Sequence, residues 1–283
     1  MKQLEPAPES LFWHWISERH RIYLLRQSGA AKPWTADPIL QRYKFTNAFR
    51  QLDRGTQWLT QNFLGPFENA SGGLIVGNVA WYRMFNWTGT GERLGWQVDW
   101  NTDKIKHTLT RAYYDGEQVF TNAHIIWSEE GIPKIDAIVN YVANVWKDKD
   151  DIAYRAQIEN TLEGTFNRLT RYKGIGGFIA YEIVSDLRHT RLLNGARDIM
   201  TWANMGPGAK RGLQRLDMPC KNQKQGVESM QILLSRSQER PNALPVGFPE
   251  LEMRDIEHSL CEFDKYCRVK FGEGEPRMKF NGV

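Results

Sequence analysis

The sequence predicts a mainly α-helical protein. Apolar residues recur at three- and four-residue spacings along most of the chain, strict alternation is scarce, and capping residues and glycine stops separate the periodic stretches. Residues 1–30 open with a helical pattern carrying Phe12, Trp13 and Trp15. Asp37 and Pro38 supply an N-cap and an N1 proline for a helix expected from Ile39 to about Asn62, which Leu64-Gly65-Pro66 ends. A helix is expected over Leu74–Phe85, a polar loop over Trp87–Leu94, and a helix over Val98–Tyr114 that Gly116 breaks. Asn122–Ile126 is a short apolar stretch. Lys134–Trp146 is helical, the charged KDKDD run is a break, and a long helix runs from Ile152 to about Arg171. Further helices are expected at Phe178–Val184, Val227–Ser237 and Leu251–Phe271. A loop covers Pro219–Gly226, an extended connector Pro241–Pro249, and a polar tail carries Glu273, Glu275 and Arg277.

The 283 residues are enough for one catalytic unit, with sub-lobes expected at 1–150 and 151–283. No apolar run approaches the roughly 20 residues that span a bilayer, and no signal-peptide pattern opens the chain. Cys220, Cys261 and Cys267 are odd in number and form no CxxC, which points to a reduced cytoplasm rather than a disulfide framework. The net charge of +4 is mild, so its placement matters more than its size.

Five groups of residues could carry chemistry. Asn47, Arg50 and Arg54 fall at i, i+3 and i+7 on the expected helix with Asp53 beside them, suited to a phosphate, a carboxylate or a base edge, or to a solvated polar face. Lys173-Gly174-Ile175-Gly176-Gly177 forms a glycine turn between helical patterns, where backbone N–H groups can approach a phosphate; the alternative is an inert helix turn. Asp186 and Asp198 follow it and suit general-base work or orientation of a cation, or cap neighbouring helices. Gly206-Pro207-Gly208 beside Lys210 and Arg211 could form an anion nest or a capping turn, and Arg215, Lys221 and Lys224 extend the positive charge. The stretch Glu257–Arg268, with Lys265, lines a helix that reads as a surface face unless Lys265 or Arg268 enters a cleft. No metal-ligand spacing is present.

A helix–GhG–helix turn followed by an aspartate some two dozen residues later resembles the helix-hairpin-helix DNA glycosylases, which act on an extruded base. More specifically, WTADPILQRYKFTNAFRQLDRGTQWL, FTNAHII, GIGGFIAYEIVSDL, MGPGAKRGL and HSLCEFDKYCR resemble the α-glutamyl/putrescinyl thymine pyrophosphorylase family of phages. That resemblance implies a glycosylase-like helical fold with two helical lobes around a cleft, working in the cytoplasm of the infected host. It also implies an amino-acid:DNA transferase that replaces the pyrophosphate of 5-pyrophosphomethyl-deoxyuridine in DNA with an amine, glycine being favoured. Phe178 stands where bifunctional glycosylases carry a lysine, so Schiff-base strand cleavage is not expected.

Asp198 and Asp186 are then the catalytic candidates. Asn47, Arg50, Asp53, Arg54, Lys210, Arg211 and Lys265 are expected at substrate and pyrophosphate, and Lys173, Gly174, Gly176, Gly177, Gly206 and Gly208 at DNA. No cofactor is required, although magnesium is compatible with a pyrophosphate leaving group. Addition of Cys261 to the pyrimidine competes with a plain buried thiol. A glycosylase acting on a modified base and a non-catalytic DNA-binding protein are the competing readings.

Overall fold

The computed structural model describes residues 8–239, 244, 248–276 and 278–280. Thirteen α-helices and no strand occur among them, with one isolated bridge between Tyr43 and Lys279. None of the described helices is long and apolar enough to cross a membrane. Most of the expected Pro241–Pro249 connector, and Arg277 of the tail, lie outside the described residues. The chain divides into two compact units, Met1–Asp53 with Met200–Val283, and Arg54–Ile199. Position 150 falls within the second of these.

The unit Arg54–Ile199 is built around α4 (Gly72–Phe85). This helix is apolar on every side and is buried along nearly its whole length, as such a pattern requires. Ser71 accepts from Leu74 N at its start, and left-handed Asn86 ends it. The unit also holds α3 (Arg54–Leu59), α5 (Thr88–Leu94), α6 (Thr102–Tyr114), α7 (Lys134–Lys147), α8 (Lys149–Glu159), α9 (Leu162–Leu169) and α10 (Gly177–Leu187); α5, α7, α8 and α10 pack on α4, α6 on α7, and α9 on α8 and α10. Three expectations are corrected here. The Trp87–Leu94 loop is the short helix α5, held by the Thr90 hydroxyl on Val119 O. The KDKDD run begins α8, because Asp150 and Asp151 suit a helix N-terminus. The helix expected from Ile152 to Arg171 is two, since Asn160 adopts the left-handed conformation (φ 44°) and the Thr161 side chain caps α9.

The other unit contains α1 (Pro8–Gln27), α2 (Pro38–Arg42), α11 (Pro207–Arg215), α12 (Gln223–Glu239) and α13 (Met253–Lys270). Helix α13 is its centre, packing on α11, α12 and α1, with Phe12 of α1 edge-on to Phe263 at 5.3 Å. Asp37 caps α2 as expected, accepting from Ile39 N at 2.7 Å and Leu40 N at 3.1 Å. The helix does not continue to Asn62. The N–H groups of Thr46, Asn47 and Arg50 donate instead to the carboxylates of Glu262, Asp53 and Asp255, so they cannot make helical bonds. Extended chain and one 3-10 turn, Arg50–Leu52, fill the interval. The stripe of Asn47, Arg50 and Arg54 on one helix face is therefore corrected: Arg54 begins α3, which belongs to the other unit. Helix α12 also starts earlier than expected, at Gln223, because Asn222 accepts from Gln225 N.

Candidate functional site

Helix α13 presents two polar faces, and both are buried to a degree its sequence does not announce. On the first, His258, Glu262 and Lys265 meet the segment Phe45–Asp53. His258 Nε2 lies 2.7 Å from Thr46 Oγ1 and 3.5 Å from Asp53 Oδ2. Both partners share one ring nitrogen, so this is not a hydroxyl–imidazole–carboxylate relay, which needs the two nitrogens separately. Asp53 also accepts from Asn47 N at 2.9 Å and from Arg50 Nη1 at 2.8 Å. Glu262 accepts from Thr46 N at 3.0 Å and from Lys265 Nζ at 2.9 Å, and that ammonium sits 4.7 Å from the Phe45 ring centre.

The electrostatics of this face follow from burial working against pairing. Burial alone would raise the Asp53 carboxyl, but His258, Arg50 and the Asn47 N–H outweigh it and hold the group at about 2. Burial opposes the His258 imidazolium, yet its hydrogen bond to Asp53 raises its pKa above the ordinary value. Arg19 of α1 borders the same carboxylates; burial lowers its pKa, and Asp53 and Glu262 oppose that. Its Nη1 and the Oδ1 of Asn47 are buried without a hydrogen-bond partner among the described residues.

The second face carries Glu257, Cys261, Asp264 and Arg268 against α11. Gly208 and Gly212 let the helices close: a side chain at Gly208 would strike Cys261, and one at Gly212 the Leu260 backbone. The Gly206 N–H points at Glu257 Oε1 (3.3 Å), so a carboxylate of this chain already faces the expected nest. Asp264, fully buried, accepts from Arg211 Nε at 2.8 Å and from Arg215. Lys210 lines a shallow hollow with Gln214, Met218 and Lys221. Burial, with Glu257 and Glu262 nearby, pushes the Cys261 thiol up to about 12, so almost no thiolate exists at neutral pH.

The unit Arg54–Ile199 holds the remaining expected residues. Asp186, 1% exposed, pairs through both oxygens with buried Arg83 of α4, which also reaches Glu182 at 3.3 Å, Thr56 at 2.9 Å and Asn86 at 2.9 Å. These carboxylates raise the Arg83 pKa against the effect of burial. Asp198 caps α9, accepting from Leu162 N at 2.7 Å and Glu163 N at 3.0 Å, and shares none of these partners with Asp186. In the Lys173–Gly177 turn, Gly174 has φ +81° and lies against the Tyr141 ring, while Gly176 faces open space and Gly177 begins α10. Lys173 pairs with Glu129 at 2.6 Å, and Arg54 is exposed.

The structure thus joins Asn47, Arg50 and Asp53 directly, and Lys265 to them through Glu262 and Thr46. Gly206, Gly208, Lys210 and Arg211 lie on or beside the α11 face. Sequence reasoning missed Arg19, Thr46, His258, Glu262, Asp264 and Arg83 as participants. Two signals were there to find: polar residues at i, i+4 and i+7 along α13, and a lone arginine in the apolar run LIVGNVAWYRMF.

A family model for the 5-hmdU DNA kinase helical domain matches residues 8–275. The chain belongs to that family. A 5-hmdU DNA kinase of Bacillus phage SP10 is 27% identical, over 89% of this chain and 43% of the relative. The chain therefore spans less than half the length of that curated relative. No solved structure matches it. The helical domain so described agrees with the all-helical architecture found here. The family concerns modified thymine in DNA, as the sequence motifs implied, but its description names a kinase rather than a pyrophosphorylase.

Proposed function

We propose that the chain is a phage thymine-modification enzyme acting on DNA, and that it exchanges the pyrophosphate of 5-pyrophosphomethyl-uracil for the amine of an amino acid, glycine being favoured. The observation that carries this reading is the cluster around Asp53. It combines two carboxylates with Arg19, Arg50, His258 and Lys265, and it leaves a guanidinium N–H and an amide oxygen without partners. Unpaired buried groups cost about 1–3 kcal/mol each, and a zwitterion offers a carboxylate to the first and an ammonium to the second.

In this reaction a C–O bond to pyrophosphate breaks, a C–N bond forms, and the ammonium gives a proton to water before attack. The methylene is attached to the pyrimidine double bond, so positive charge builds there while negative charge builds on the leaving group. Asp198, anchored by two backbone N–H groups, stays a catalytic candidate within its own unit. Asp186 is assigned to orienting Arg83. Arg50, Lys210 and Arg211 are assigned to pyrophosphate, and Lys173 with the Gly174–Gly177 turn and the Gly206–Gly208 turn to DNA phosphates.

The family match favours a second reading, in which this helical domain presents 5-hmdU DNA to a kinase activity. These 283 residues contain no GxxxxGK[ST] loop, so a phosphate loop of that type would have to come from elsewhere. Incubation with DNA containing pyrophosphomethyl-uracil plus glycine, with and without magnesium, followed by nucleoside mass spectrometry, tests the first reading. Amine-for-pyrophosphate exchange supports it. Abasic sites indicate a glycosylase, phosphorylated 5-hmdU in a parallel reaction with ATP indicates the kinase role, and bound but unchanged DNA removes catalysis.

A further inference from the structure

Asp264 is surrounded by more positive charge than its neutralisation requires. It is fully buried, and Arg211 Nε reaches its Oδ2 at 2.8 Å while Arg215 Nε and Nη2 reach its Oδ1 at 3.3 and 3.2 Å. Arg268 Nε stands 3.5 Å from Oδ2, near enough for charge but too long for a good hydrogen bond, and that nitrogen is buried without a partner. Arg215 is taken up on its other side by Glu273, with Nη1 at 2.7 Å from Oε1. Three guanidiniums therefore share two carboxylates.

Arg211 bonds Asp264 through Nε alone, and Arg268 only approaches the same carboxylate. Their terminal NH₂ groups make no hydrogen bond among the described residues, although Glu273 lies near enough to Arg268 to feel its charge, and the side chains are 51% and 39% exposed. The single bond from Arg211 Nε leaves the far edge of that guanidinium for another anion, and Arg268 makes no hydrogen bond to Asp264 at all. Two open guanidinium edges suit a tetrahedral group, whose several oxygens can take N–H bonds from each side; one carboxylate has only two oxygens to offer.

We propose that Arg211 and Arg268 clamp a phosphoryl group, with Asp264 as the positioning residue that orients Arg211 and holds its charge near Arg268. The phosphoryl group belongs either to free pyrophosphate or to a DNA backbone. The inference rests on the proposed reaction only for the first source, and its test needs no turnover.

The full chain is titrated with sodium pyrophosphate by calorimetry, and with unmodified duplex DNA by fluorescence anisotropy, at low salt. The double variant Arg211→Gln/Arg268→Gln is expected to weaken one of these ligands at least tenfold, with its thermal transition close to the parent's. Loss for pyrophosphate alone assigns the clamp to the leaving group; loss for DNA assigns it to the backbone. Asp264→Asn is expected to weaken the same ligand, and Lys104→Gln on α6 to change neither by more than twofold. Unchanged affinity for both ligands in the double variant overturns the clamp, as does a parent chain that binds neither. A chain that binds pyrophosphate through these arginines but transfers no amine keeps the clamp and loses the transferase.

Discussion

Asp53 and His258 stabilise one another only while both are charged, which makes their contact a pH-dependent part of the fold. The Asp53 carboxyl is held at about 2, below its ordinary value, so its contribution is complete above the usual carboxylate range and disappears as pH falls through about 2. The His258 pKa is raised, so its contribution is complete below the usual imidazole value and disappears as pH rises through the raised one. The pair is strongest between those limits. We expect Asp53→Asn to lower the melting temperature most in that interval, with the gap from the parent closing on the alkaline side; a gap independent of pH would show that the imidazole is not its partner. Arg83 tests the other unit. Arg83→Met leaves Asp186 and Glu182 buried without their cation, a change that costs about 3–5 kcal/mol, read from urea denaturation. A loss below about 1 kcal/mol would mean that the carboxylates take up protons instead.

At the level of elements, the glycines of the Lys173–Gly177 turn separate shape from binding. A methyl at Gly174 meets both the Tyr141 ring and a left-handed backbone, so Gly174→Ala is expected to destabilise by about 2 kcal/mol or more. Gly176 faces open space at φ −75°, so Gly176→Ala is expected to stay within about 0.5 kcal/mol of the parent while weakening DNA binding if its backbone approaches a phosphate. Equal DNA affinity in Gly176→Ala would place the phosphates elsewhere. Asp198→Ala removes a helix cap worth about 1 kcal/mol; loss of turnover well beyond that deficit, at matched folded fraction, is what a role in chemistry requires. Where local signals decide, the sequence was legible: the start of α2 at Asp37 before Pro38, the apolar run of α4, and the last helix, expected over Leu251–Phe271 and found at Met253–Lys270. Those decided by distant partners were not. Nothing near Thr46 or Arg50 in the chain says that Glu262 and Asp255 will take their N–H groups, and local spacing there reads as helix.

For the whole molecule, the helical class was visible in periodicity alone, whereas the site was not, because its polar groups come from separate stretches. Asn47, Arg50 and Asp53 were recognisable as a group, although for a helical spacing that the chain does not adopt. His258 and Glu262 were overlooked because alternating charge on an amphipathic helix usually means solvent. The unit Arg54–Ile199 is continuous in sequence and encloses its own core around α4. We expect residues 54–199 to fold when expressed alone, with a helical circular-dichroism spectrum and one cooperative melt; a gradual, non-cooperative loss of signal would contradict its independence. The other unit has no such freedom. The bond from Thr46 N to Glu262 joins positions 216 residues apart, an interval that a bacterial ribosome takes on the order of ten to forty seconds to translate. During that delay the amides of Thr46 and Arg50 lack the carboxylates that hold them in the finished fold, and the whole intervening unit has time to form first.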